Sequence, residues 1–161
     1  MRIAVISDTH GSRAAIRRAV RACGPVDRWL HAGDYSQDGA ILAQETGGQP
    51  VTAVAGNCDG WGVAAKAEEF IEAGGKLIWL THGHHYRVKS GLTDLIAGGR
   101  RHEADIVVYG HTHRARIDRL AGMLLLNPGS AALAGRNGER SCGVLEIGPD
   151  GRVAAQIIDL N

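Results

Sequence analysis

Hydrophobic and polar positions follow two rhythms along this chain. Arg2 to Ser7 is an unbroken apolar run rich in β-branched residues, the kind buried on both faces of a sheet. From Ser12 to Ala22 the period becomes helical. Ala15, Ile16, Ala19 and Val20 share one face, and Arg13, Arg17, Arg18 and Arg21 occupy the rest. Ser12 is placed to cap this helix and Gly24-Pro25 to end it. Asp27 to Ala32 and Pro50 to Ala55 read as two further strands. Between them lies a short helix from Asp38 to Glu45, closed by Gly47-Gly48. This β-α-β-α-β alternation predicts a parallel sheet with right-handed crossovers.

The second half changes character. Glu68 to Ala73 and Lys76 to Thr81 flank Gly74-Gly75, a hairpin pattern in which glycine supplies positive φ at the turn. A helix is expected from Leu92 to Glu103, weakened by Gly98-Gly99. Strands are expected at Asp105–Tyr109 and Met123–Leu126, and a hairpin at Cys142–Ile147 and Arg152–Leu160. The chain is thus α/β in front and β-rich behind. With 161 residues and no repeat, low-complexity tract or linker, it reads as a single domain over residues 1–161.

Composition narrows the class. Hydrophobic residues make up 44% and charged residues 22%, which fits a globular protein and excludes a disordered chain or a disulfide scaffold. Eighteen Lys and Arg nearly balance seventeen Asp and Glu, for a net charge of +1. That is not the basic excess of an electrostatic nucleic-acid binder, so no stable nucleic-acid binding is expected. Cys23, Cys58 and Cys142 form no C-x-x-C pair and fit the reduced thiols of a cytoplasm. No apolar stretch reaches the roughly 18 residues of a membrane helix, and the first apolar run meets Asp8 too soon for a signal peptide. A cytoplasmic protein is expected, its oligomeric state open and a homo-oligomer included. Eight histidines, against seven Phe, Trp and Tyr, raise a metal or acid–base question.

Five expected strands answer it, each ending just before a residue able to bind a metal. These ends carry Asp8-Thr9-His10, Gly33-Asp34, Gly56-Asn57, Thr81-His82-Gly83-His84 and Gly110-His111-Thr112-His113. In open α/β sheets the carboxyl edge is where ligands bind. Asp8, His10, Asp34, Asn57, His82, His111 and His113 are too many donors for one ion. They suit two divalent cations sharing a carboxylate. Mixed nitrogen and oxygen donors fit Mn, Fe, Zn, Co or Ni, with manganese the first to try. Two such ions, two carboxylates and a bridging hydroxide leave a net charge of about +1, which attracts a phosphate ester.

Taken in order, these motifs resemble the signature of the calcineurin-like metallophosphoesterase superfamily: D-x-H, G-D, G-N-(H/C)-(D/E), H-G-H and G-H-x-H. The third stands here as Gly56-Asn57-Cys58-Asp59. This Asn-Cys-Asp variant, the short chain and Asn127-Pro128-Gly129-Ser130 are similar to the small bacterial and archaeal phosphodiesterase branch. The resemblance implies a four-layer α/β/β/α sandwich of two mixed sheets that hydrolyses small phosphodiesters or nucleotides. It further implies that Asp8, His10 and His113 hold one metal and Asn57, His82 and His111 the other. Asp34 would bridge, and a metal-bridging hydroxide would attack phosphorus. The alternative it carries is a weak or inactive scaffold for protein–protein interaction, like the retromer subunit of this fold.

Two departures stand out. Many members carry histidine where this chain has Cys58, a weak donor, so slow turnover or a need for good leaving groups is expected. His84 or His85 could supply the imidazole instead. Asp38 lies four residues after Asp34, where phosphatases of the family often have an acid at three, and it is given no role. The candidate catalytic residues are therefore Asp34, Asn57, His84 and Cys58, and the candidate substrate contacts Arg114 and Asn57. Plainer readings stand beside these. Cys58 could be a small buried residue supporting its loop, His84 and His85 loop residues, and Arg13, Arg114 and Arg116 solvated charges. His31 reads as a satisfied core histidine and His102 as a helix-surface residue. Asn127 is either an Asn-Pro turn or a residue that orients a histidine ligand. Trp61 either lines the pocket mouth or packs.

Overall fold

The computed structural model describes residues 1–60, 62–133 and 138–161. The strands are β1 (Arg2–Ile6), β2 (Arg28–His31), β3 (Val51–Ala53), β4 (Glu68–Ala73), β5 (Lys76–Thr81), β6 (Ile106–Val108), β7 (Ala115–Leu120), β8 (Met123–Pro128), β9 (Ser141–Ile147) and β10 (Val153–Asp159). The helices are α1 (Arg13–Cys23), α2 (Asp38–Glu45) and α3 (Thr93–Arg101). One sheet has the order β10-β9-β1-β2-β3 and the other β4-β5-β6-β8-β7. In the first, β1, β2 and β3 run parallel. In the second, β5, β6 and β8 do. β9 and β10 in the first sheet, and β4 and β7 in the second, pair antiparallel, so both sheets are mixed.

Strand alternation sorts side chains into three cores. Ile3 and Val5 of β1 point between the sheets with Leu30, Ile78, Leu80, Ile106, Leu124 and Leu145. Their neighbours Ala4 and Ile6 point the other way, against Ala15, Ile16 and Ala19 of α1. On the far side Trp79, Val107 and Leu125 meet Leu95 of α3. The apolar run at Arg2–Ser7 is continuous because both faces of β1 are covered. The expected four-layer α/β/β/α sandwich is the one observed.

Local signals behave as the chemistry requires. Ser12 Oγ accepts from Ala15 N at 3.3 Å at the head of α1, and Gly24, at φ 63°, ends it. Gly74 and Gly75 turn the β4–β5 hairpin at φ 57° and 73°. β8 runs on through Pro128, past the expected Leu126, and two further elements differ more. α3 is shorter than the Leu92–Glu103 span. The strand β7 was not anticipated: it pairs with β8 across Ala121-Gly122, and nearly all of it is exposed or half-exposed. No helix is long and apolar enough to cross a membrane among the described residues.

Candidate metal centre

Parallel strands put the carboxyl ends of β1, β2 and β3 on one edge, and those of β5 and β6 on the facing edge. Asp8, Asp34, Asn57, His82 and His111 each follow one of these five strands within a few residues. Four ligand atoms, from Asp8, His10, Asp34 and His113, lie within 4.8 Å of one another. Asp34 faces two ways. Its Oδ2 is 3.9 Å from His10 Nε2, and its Oδ1 is 3.3 Å from His82 Nε2. On the His82 side, Asn57 Oδ1 is 3.1 Å from the same Nε2, and the His111 ring centroid is 5.0 Å from that of His82. All seven sequence-predicted donors are thus brought to one edge, around Asp34.

The donors fit a cation better than they fit one another. His82 Nδ1 lies 2.7 Å from the Ala32 carbonyl and so carries the proton and donates it. Nε2 is thereby the nitrogen left for a cation, and it faces two oxygens, Asn57 Oδ1 and Asp34 Oδ1. Asp8 Oδ1 and His10 Nε2 are buried without a hydrogen bond. His113 Nε2 approaches Asp8 Oδ1 to 3.0 Å without hydrogen-bond alignment. Orphaned buried polar atoms cost roughly 1–3 kcal/mol each, and a shared cation would satisfy this set.

The backbone is strained where the ligands sit. Asp8, His10, Asp34, His111 and His113 have φ of 54°, 45°, 58°, 68° and 56°. These are left-handed conformations that L-residues adopt at a cost, and they persist where the surroundings over-determine them. Glycine supplies the clearance alongside. A Cβ on Gly33, itself at φ 95°, would lie 2.6 Å from His82 Nδ1, and one on Gly56 would collide with Asp34.

Hydrogen bonds hold these loops. Asp38, unassigned by sequence, is buried and accepts from Thr9 Oγ1 at 2.6 Å and Gly11 N at 2.8 Å. Gly33 N donates to His31 Nδ1, so His31 Nε2 carries the proton and donates to Thr9 Oγ1 at 2.8 Å. Burial lowers the proton affinity of His31, which keeps it in this neutral form. The Asp8–Gly11 turn is therefore clamped by His31, Thr9 and Asp38. Asp59 does the same for the Asn57 loop, accepting from Gly56 N, Ser36 N and Ser36 Oγ, each at 2.7 Å. Ser7 Oγ donates to Asp8 Oδ2 and Ser130 Oγ to the Asp8 carbonyl.

Electrostatics favour the ligating protonation states of Asp8 and His111 and oppose that of His113. For Asp8, burial raises the pKa, but His113, His82 and Ser7 outweigh it and hold the carboxyl below its usual range. Burial lowers His111 and His84 to about 4, leaving both neutral at physiological pH. Asp8 raises His113 instead. Burial, reinforced by the Asp34 carboxylate, pushes the Cys58 thiol up to about 11.

The remaining candidates separate. His84 lies near the centre, its ring centroid 5.3 Å from that of His82, and its Nδ1 is buried without a partner. His85 is exposed and stacks on His84. Cys58 is exposed, which corrects the reading of a small buried support; its amide, not its thiol, donates to Asp34 Oδ1 at 2.9 Å. His31 is the satisfied core histidine expected. His102 is half-buried against Trp79 and Phe70 rather than lying free on the helix surface. Asn127 does two jobs. Its Oδ1 closes a turn with Gly129 N, and its Nδ2 donates to Gly110 O and Thr112 Oγ1, holding the histidine loop by its backbone rather than by a ring. Arg114 is exposed on the cleft beside Thr112. Trp61 lies outside the described residues. Tyr35, not singled out by sequence, packs edge-on against His10 with centroids 5.5 Å apart.

Comparison with known proteins accords with this geometry. Residues 1–150 match the calcineurin-like phosphoesterase superfamily domain. The chain is 35% identical over 134 residues to the probable metallophosphoesterase YsnB of Bacillus subtilis, covering 83% of this chain and 76% of that one. It is 30% identical over 149 residues to the phosphodiesterase MJ0936 of Methanocaldococcus jannaschii, covering 80% and 83%. Among solved structures, a predicted phosphoesterase from Streptococcus pneumoniae superposes with a TM-score of 0.77 at 26% identity, covering 98% of this chain and 97% of that one. Wild-type Vps29 from Entamoeba histolytica, complexed with zinc, superposes with a TM-score of 0.76 at 25% identity over the whole of both chains. With the motifs in order on one sheet edge and the match running through nearly the whole chain, this protein belongs to the calcineurin-like phosphoesterase superfamily.

Proposed function

We propose that the protein is a metal-dependent phosphodiesterase with a dinuclear centre, acting on small organic or nucleotide diesters. The observation that carries this reading is the placement of Asp34, whose two carboxylate oxygens face different sets of donors. Asp8, His10 and His113 would hold one ion and Asn57, His82 and His111 the other, with Asp34 shared. When bound, divalent cations supply a nucleophile at neutral pH and Lewis-acid stabilisation of the phosphoryl oxygens. The chain's own groups do the rest. Ala32 fixes the His82 tautomer, and the Cys58 amide holds Asp34 Oδ1 in place. The imidazole of His84 stands beside His82, neutral at physiological pH, and so is placed to accept a hydrogen bond or a proton rather than to supply one. Cys58 itself is a weak donor, so diesters with good leaving groups are the substrates to try first.

The test is release of para-nitrophenolate from bis(para-nitrophenyl) phosphate and from the matching monoester, after chelation and addition of manganese. Manganese-dependent cleavage of the diester, lost in Asp34→Ala, is expected. A second reading, the protein–protein scaffold, is favoured by the full-length superposition on Vps29 and by the weak donor Cys58 at the third motif. Absence of cleavage with any divalent metal, in protein shown to hold two ions, would transfer the assignment to a scaffold.

A further inference from the structure

A cleft of about 700 Å³ opens between the segment after β5, α3 and β7. Thr112, flanked by His111 and His113, forms part of its wall, so cleft and metal centre share a border. Its volume falls in the range of small-molecule sites. Leu92, Ile96 and Leu120 give it an apolar side. Lys89, Arg114 and Arg116 give it three cations, and no acidic residue lines it among those described. Arg116 is ion-paired with Asp118, whereas Lys89 and Arg114 pair with no carboxylate among the described residues.

We propose that this cleft is the subsite for one arm of the diester, and that it selects an arm with an aromatic or apolar body ending in a second anionic group. The proposal rests on the phosphodiesterase reading and deepens it. A phosphodiester seated at the centre has one arm directed over Thr112. That arm passes Leu92, Ile96 and Leu120, which cover apolar surface, and its far end meets Lys89 and Arg114. A neutral arm gains only the apolar contact, and a cationic arm meets like charge. Nucleotide-type diesters that carry a further phosphate have this form.

Two diesters of equal shape isolate the charge: bis(para-nitrophenyl) phosphate, and the ester in which one ring carries carboxylate in place of nitro. Both release para-nitrophenolate. The ratio of their kcat/KM values should favour the carboxylate by about fivefold at low salt, and the preference should shrink as salt rises. The ratio should drop severalfold, to the value set by intrinsic reactivity alone, in the Lys89→Ala/Arg114→Ala double variant, because both cationic partners are gone. A second readout does not depend on turnover. Diphenylphosphinate and its para-carboxy derivative are titrated into zinc-loaded protein while the methyl signals of Leu92, Ile96 and Leu120 are followed. Tighter binding of the carboxy compound, with those methyls shifting, supports the proposal. Equal affinities, unmoved methyls, or a preference that survives the double variant would overturn it. If bis(para-nitrophenyl) phosphate is hydrolysed while these results fail, only the subsite is lost. If neither diester is hydrolysed, the phosphodiesterase reading falls and the subsite with it.

Discussion

Asp8, His10, Asp34, His111 and His113 are all held in left-handed backbone, at roughly 1–2 kcal/mol each. The strain is sustained by neighbours that leave the loops no alternative: Asp38 and His31 acting through Thr9, Asp59 on the Asn57 loop, and Asn127 on Gly110 and Thr112. The ligands should therefore be presented in place rather than gathered by the metal. Thr9 is the sharpest place to test this, because its hydroxyl is taken up by His31 and Asp38 rather than by the candidate ligands. Thr9→Val removes the hydroxyl between His31 and Asp38 and should weaken metal affinity by about tenfold to a hundredfold, measured by calorimetric titration. Thr9→Ser keeps the hydroxyl and should stay near wild type. Equal affinities in all three proteins would show that the turn does not depend on the clamp. The candidate ligands stood out in the sequence because their chemistry is rare and their order distinctive, and the structure brings them together. The clamp did not, since Asp38 meets Thr9 only after β1 and β2 lie side by side.

At the scale of elements, Gly98 and Gly99 looked like weaknesses in α3. They are instead the reason α3 seats on its sheet. A Cβ on Gly98 would lie 2.6 Å from Cη2 of the buried Trp79, and one on Gly99 2.6 Å from Met123 Sδ. Alanine in a helix interior gains about 1 kcal/mol of propensity over glycine, but overpacking against a buried ring costs about 1–3 kcal/mol. Gly98→Ala should therefore lower the denaturation midpoint; a rise would show that the contact has room to yield. Glu45 joins α2 to α1, accepting from Arg13 Nε at 2.6 Å and Arg17 Nε at 2.8 Å. The hydrogen bond from Arg17, with the pair charge and Arg13, holds its carboxyl below the usual range. A depressed folded pKa gives stability that is present above the unfolded value and lost as pH falls through the folded one. The gap in melting temperature between wild type and Glu45→Gln should be present at neutral pH and close below about pH 4. A gap independent of pH would contradict the ion pair. Buried or capped elements, such as β1 and α1, were readable from periodicity. The strand β7 was not, because an edge strand facing water carries no burial pattern and its turn is the weakly marked Ala121-Gly122.

At the scale of the molecule, two mixed sheets pack face to face and their parallel strands aim one set of carboxyl ends at a single edge. The layers were legible only through the family resemblance, since the unbroken apolar run of β1 does not itself say that Ile3 and Val5 face one core and Ala4 and Ile6 another. The cleft beside Thr112 was not, because Lys89 and Arg114 are brought to its rim only by the packing of α3 and β7. A ligand that binds only the folded state raises its stability. Manganese should therefore raise the melting temperature of the wild type and raise that of Asp34→Ala less. The most direct test of the central claim is the number of ions the edge holds. Calorimetric titration of chelator-treated protein with manganese should reach two ions per chain in the wild type and one or fewer in Asp34→Ala. Saturation of the wild type at a single ion, or an Asp34→Ala variant that still takes two, would contradict the shared carboxylate on which the account rests.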